Sequence, residues 1–223
     1  MDRSLIKKGD VKMKKGFRAL ALATAMLLQV NVCSALTYSR AEFKGQNFPD
    51  VVGTKYEDAA LYLKAFDYIS GYPDGSFKPE NDITRAEMVR IMFEFSNEAK
   101  AALAKQTTPL NNFKDVPTDH WAKQYIEVAA QVGLVSGYGN GVFKPNNNIT
   151  HAEALTMIMN VHSLKQAVSS WEDNKWPDNY LKYAIYHGYV ENGSSFEFLK
   201  QNNAKRGDVA IYISNVRNVQ WED

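Results

Sequence analysis

"GYPDGSFKPENDITRAE" (residues 71–87) and "GYGNGVFKPNNNITHAE" (residues 137–153) are one clause written twice, at equal length and 66 positions apart. Recurrence at a fixed period marks a repeat architecture, so it bounds the fold before any single motif is weighed. Outward from this clause, Phe48, Asp50 and Val51 align with Phe113, Asp115 and Val116, Tyr56 with Trp121, and Leu61 with Ile126. A third copy is weaker. Trp171-Glu172-Asp173 opens it, and Trp176, Tyr180, Leu181, Ala184 and Gly188 follow Trp121, Tyr125, Ile126, Ala129 and Gly133 at a constant 55 positions. In this copy "ENGSSF" (191–196) is a shortened turn and "AKRGD" (204–208) replaces ITRAE.

Each copy reads as helix, turn, helix. Ala122, Ile126, Ala129 and Ala130 fall on one helical face, and Gly133 stands where that helix stops. "YPDG" (72–75) and "YGNG" (138–141) supply Pro and Gly for tight turns, and Pro79 and Pro145 hold an extended approach to the next element. Thr84 with Glu87, and Thr150 with Glu153, have the T-x-x-E spacing of a capping box, in which each side chain satisfies an amide of the helix's first turn. The following helices carry Val89, Met92, Phe93 and Leu155, Ile158, Met159 as core stripes, with Ile83 and Ile149 as staples. Arg85 is left over. At the first helical position, pointing outward, it is a cation beside the positive end of the helix dipole, which points to an anionic partner, or else to a solvated side chain.

Composition sets limits on function. The 223 residues are 45% hydrophobic, enough for a real core. Residues 1–35 read as an export signal: a basic start after Met13, a short apolar run, and a small-residue finish at Ala35, with no stable transmembrane span once it is cleaved. Cys33, the single cysteine, falls inside that segment, so the mature chain has no disulfide and no thiolate chemistry. Beyond residue 35 the chain holds 19 Lys/Arg against 23 Asp/Glu, a net charge near −4, which gives no footprint for nucleic acid. There is no G-x-S-x-G or H-E-x-x-H motif, His120, His151, His162 and His187 lack metal-ligand spacing, and no cofactor is called for. The expectation is a non-enzyme.

Taken together, F-x-D-V, the W-A start of a first helix, G-Y-x-[DN]-G-x-F-x-P and I-T-[RH]-A-E resemble the S-layer homology (SLH) domain, over residues 48–98, 113–163 and 171–218. Residues 36–47 and 99–112 are left as linkers, the second with a helical tail. The resemblance implies a mainly α fold of three helix-turn-helix repeats packed as a pseudo-threefold helical spindle. It implies an exported module at the cell wall or S-layer that binds secondary cell-wall polysaccharide, often pyruvylated, or a peptidoglycan-linked glycan, in grooves between repeats. Other S-layer proteins are possible partners.

Carried over residue by residue, the resemblance assigns carboxylate contacts to Arg85 and Arg206, and sugar-stacking rings to Trp121 and Trp176. The opening acids are Asp50 and Asp115, and Gly71 and Gly137 let backbone approach a ligand. For these aromatics, core packing is the competing reading. His151 departs from the pattern, so its groove is expected to be weak, pH-dependent or silent. Lys205 departs as well, standing where the capping threonine belongs. One good groove and at most one impaired groove are expected. The alternative is a surface scaffold working through protein contacts, for which Tyr180, Tyr183, Tyr186, Tyr189 and Tyr212 offer an aromatic face.

Overall fold

A computed structural model describes residues 35–106, 113–170, 175–191 and 193–222. The expected signal up to residue 34, with Cys33, lies outside the described residues, as does the opening Trp171-Glu172-Asp173 of the third copy. The chain is mainly helical. Strand β1 (Leu36–Ser39) is followed by a 3-10 turn, Arg40–Phe43. Repeat one then pairs α1 (Glu57–Ala65) with α2 (Arg85–Phe95), and α3 (Asn97–Lys105) follows as its tail. Repeat two pairs α4 (Lys123–Gln131) with α5 (His151–Val161), followed by short α6 (Lys165–Ser169). Repeat three holds α7 (Asp178–Tyr186), a short α8 (Phe196–Gln201), and α9 (Arg206–Val216), and the chain closes with β2 (Val219–Glu222).

The first helices stop for the same backbone reason in every repeat. A residue in the left-handed region follows each of them: Asp67 (φ 58°), Gly133 (φ 76°) and Gly188 (φ 68°). The second helices start alike. Thr84 Oγ accepts from Glu87 N at 3.2 Å while Glu87 Oε2 accepts from Thr84 N at 2.8 Å, and Thr150 with Glu153 repeats the box at 3.3 and 3.0 Å. In repeat three Asp208 Oδ2 accepts from Lys205 N at 3.0 Å, so half the box survives without a hydroxyl.

The segments just before these helices join one another in a ring. Three isolated antiparallel bridges, Thr84 with Asn148, Thr150 with Asn203, and Asp82 with Lys205, join each repeat to the next and the third back to the first. Ile149 N donates to Ile83 O at 3.0 Å and Ala204 N to Ile149 O at 2.9 Å, and all three of these side chains are fully buried. The two isoleucines are therefore the hub of the spindle, beyond the local staple expected of them. The predicted stripes on α2 and α5 are buried around it.

Three features differ from the sequence expectation. Residues 36–47 are no linker: β1 pairs in parallel with β2, Leu36 with Val219 through Ser39 with Glu222. Tyr38 and Trp221 from that pair lie 5.6 Å apart, and Tyr38 packs 4.9 Å from Phe66, closing repeat one with the end of the chain. The shortened third turn leads into α8, which no motif announced. Lys78 and Lys144, next to the prolines expected to hold an extended approach, adopt φ of 55° and 60°. Asp50 and Asp115 hold that conformation from the opening of the repeat.

Candidate functional site

The site begins at the amino ends of the second helices, where the sequence left Arg85 unexplained. These ends are docked on the neighbouring repeat. Arg85 N donates to Asn147 O and Ala86 N to Pro145 O, at 2.9 and 3.0 Å; His151 N donates to Asn202 O at 3.1 Å; Arg206 N and Gly207 N donate to Asn81 O and Pro79 O, both at 2.9 Å. These first-turn amides are thus satisfied by backbone carbonyls. The first residue of each helix is carried inward with them, and Arg85 is only 3% exposed, the reverse of the outward arginine expected.

Arg85 spans the junction of repeats one and two. Its Nε donates to Phe143 O at 2.9 Å, Nη2 to Ser136 O at 3.2 Å and Nη1 to Glu153 Oε1 at 3.1 Å, while the guanidinium lies 4.5 Å from the Tyr138 ring and 4.7 Å from that of Phe143. Those contacts offset the unfavourable dipole. Glu153 caps its own helix through Oε2 and holds Arg85 and the Tyr138 hydroxyl through Oε1. Burial, then the hydrogen bond to Glu153, pushes the Tyr138 phenol up to about 12.

Beside this clamp opens a cleft of about 420 Å³. Arg85 of repeat one, Gly137, Tyr138 and Glu153 of repeat two, and Trp176 and Tyr180 of repeat three all line it. Trp176 is 55% exposed, against the competing core-packing reading, and its Nε1 donates to Thr156 Oγ at 3.0 Å. Tyr180 donates to Asn160 Oδ1 at 2.9 Å, and Lys165 stands at the margin. The result is a cleft lined by both aromatic rings and polar groups, with one buried cation already paired. Thr156, Asn160 and Lys165 carried no sequence signal of their own; Tyr138 lay inside the repeated G-Y-x-[DN]-G motif but was read only as part of a turn, and Tyr180 could have been found from its alignment with Tyr125.

One repeat back the same parts recur with a different charge state. Arg206 Nε donates to Phe77 O at 3.0 Å, and the guanidinium lies 4.9 Å from the Tyr72 ring. Among the described residues no carboxylate reaches Arg206, and Glu87, the counterpart of Glu153, uses only Oε2 for its cap. Trp121 is 56% exposed. At the third junction His151 is buried, its Nδ1 2.8 Å from the Tyr212 hydroxyl. Burial lowers its pKa, with Asp208 pulling up and Lys205 down.

Four expected ligand contacts have structural employment. Asp50 accepts from Phe77 N and Lys78 N at 2.8 and 2.7 Å, and Asp115 from Phe143 N and Lys144 N at 2.8 and 2.6 Å. Burial works against the Asp115 carboxylate, but the two amides outweigh it and its pKa falls. Gly71 and Gly137 make room for their own repeat: a Cβ there would lie 2.4 Å from Phe48 or 2.6 Å from Phe113. Gly137 also lines the cleft, whereas the two aspartates do not. Among the described residues, no cluster of His, Cys, Asp and Glu could hold a metal ion, and no helix is long and apolar enough to cross a membrane.

Several bacterial surface proteins are similar to this chain. The chain is 30% identical over 162 residues to Cell surface glycoprotein 1 of Acetivibrio thermocellus, a match covering 66% of this chain and 7% of that protein. It is 31% identical over 167 residues to a Cell surface protein of Thermoanaerobacter kivui, covering 74% and 20%. It is 29% identical over 156 residues to a Cellulosome-anchoring protein of A. thermocellus, covering 66% and 34%. The chain thus spans about a third or less of the length of these relatives. The model of the S-layer homology domain matches residues 47–89 and 112–155, the first two repeats, and the chain belongs to the S-layer homology domain family.

Proposed function

We propose that this chain is a non-catalytic anchoring module of the bacterial cell surface, which holds wall polysaccharide in the grooves between its repeats. The observation that carries this reading is the cleft in which Arg85, Gly137 and Trp176, one residue from each repeat, line a single polar and aromatic space. Exposed indoles suit the apolar faces of sugar rings, and hydroxyl and amide groups suit their edges. An acidic substituent, such as the pyruvyl group that the family resemblance implies, fits Arg206 better than Arg85, whose charge Glu153 already balances.

Arg85→Ala is a poor first test because it leaves the buried Glu153 without its counter-charge and removes the arginine donors from two carbonyls. The informative variants are Trp176→Ala and Arg206→Ala in the mature chain from Leu36, sedimented with purified cell-wall sacculi before and after removal of secondary polysaccharide. Each variant is expected to lose at least about tenfold in affinity, with Tm nearly unchanged for Trp176→Ala; stripping should abolish binding. Retention of full binding by both variants overturns the groove reading.

A second reading, a surface scaffold acting through protein contacts, is favoured by Tyr186, 73% exposed at the end of α7. It predicts self-association or partner capture that Tyr186→Ser weakens and polysaccharide removal does not.

A further inference from the structure

The three junctions between repeats are not alike, and two departures from the repeat pattern at the third explain each other. Where a first helix meets the second helix of the preceding repeat, Trp176 stands exposed over α5, while Tyr56, its counterpart over α9, is 5% exposed. The ring of Tyr56 lies against Gly207: a Cβ on that glycine would sit 2.4 Å from Tyr56 Cε1 and 2.5 Å from Cδ1. The first two repeats carry alanine at this position, Ala86 and Ala152, and the alanine methyl would occupy the space that Tyr56 fills.

The inner side is closed as well. His151 meets the Tyr212 hydroxyl at 2.8 Å and lies 5.1 Å from the Phe198 ring, and α8, which carries Phe198, is an element special to repeat three. The cleft left at this junction, about 410 Å³, is lined by Lys55, Asp58, Glu191, Asn215, Gln220 and their neighbours, but not by His151. At the middle junction, by contrast, the corresponding cleft reaches Arg85. Burial, then a hydrogen bond to Glu80, holds the Tyr56 phenol above its ordinary pKa, so it stays a neutral packing group.

We propose that Tyr56 and Gly207 form a seal that removes the His151 junction from glycan binding, so that wall attachment is carried by the Trp121 and Trp176 grooves alone. This rests on the wall-binding reading above, and the test separates the two.

Treat the mature chain with diethyl pyrocarbonate at neutral pH and follow modification of His151 by mass spectrometry, with the exposed His187 as the reference. In the wild type His151 should react at least about tenfold more slowly than His187, and Tyr56→Ala, or Tyr56→Leu if that variant folds poorly, should bring it close to the reference rate. In parallel, His151→Gln should bind sacculi within about twofold of wild type, while Trp121→Ala and Trp176→Ala each lose about tenfold. Ready modification of wild-type His151, continued protection after Tyr56 is trimmed, or a tenfold loss in folded His151→Gln overturns the seal. If the wild type ignores sacculi, the wall-binding reading falls, while the modification arm still decides whether the junction is closed.

Discussion

Arg85 shows how a residue that looks misplaced in its own helix is explained by its neighbour. A cation at the first helical position faces the positive end of the dipole, and the compensating groups come from residues 136, 143 and 153 of the next repeat. Removing it strands a buried carboxylate, so Arg85→Ala is expected to cost about 3–5 kcal/mol in denaturant unfolding, with Arg85→Lys intermediate because an ammonium cannot reproduce three directed bonds. His162 makes a second prediction at this scale. Its Nε2 is buried without a partner among the described residues, and burial, then Arg217, pushes its pKa from 6.5 down to about 3. The unfolded chain therefore takes up a proton that the fold resists. Stability is full above pH 6.5, falls toward pH 3 by at most about 1.4 kcal/mol per unit, then levels. His162→Phe should flatten that acid limb in a pH series of thermal melts.

The helix boundaries were legible in the sequence because they rest on local chemistry. A threonine and a glutamate three residues apart make a cap wherever they fall, and Gly133 ends α4 by tolerating a positive φ that other residues resist. The exception is instructive. Asp67 occupies the same left-handed position in repeat one, so Asp67→Gly should raise stability by about 0.5–1 kcal/mol, read from the shift in denaturant midpoint. What could not be read was anything dictated by a partner element. The docking of helix amides on another repeat's carbonyls has no local sequence mark, and for that reason Arg85 was expected outside. For Trp121 and Trp176 core packing competed with sugar stacking because both readings rest on the same large ring, and only the folded chain shows the two indoles exposed while Ala122 and Leu181 beside them are buried. Asp50 and Asp115 carry a family signature whose structural duty, pinning two amides 27 to 29 residues away, emerges only when the turn is folded back.

At the scale of the molecule, the periodicity revealed three like units, but not that they close into a ring. The bridge from Asp82 to Lys205 and the pairing of β1 with β2 both join the first repeat to the last. A closed ring has no terminal repeat to fray. Urea unfolding followed by tryptophan fluorescence and by far-ultraviolet circular dichroism should therefore give coincident single transitions, whereas removal of residues 219–222 should separate them. The strand pair has one more consequence. Because β1 and β2 run parallel, a force applied between the start of β1 and the end of β2 drags the strands past each other lengthwise, loading all four residue pairs from Leu36–Val219 to Ser39–Glu222 at once. The hydrogen bonds then share the tension and do not open one after another as in a zipper, so a domain stretched between its two ends resists first at its thinnest sheet.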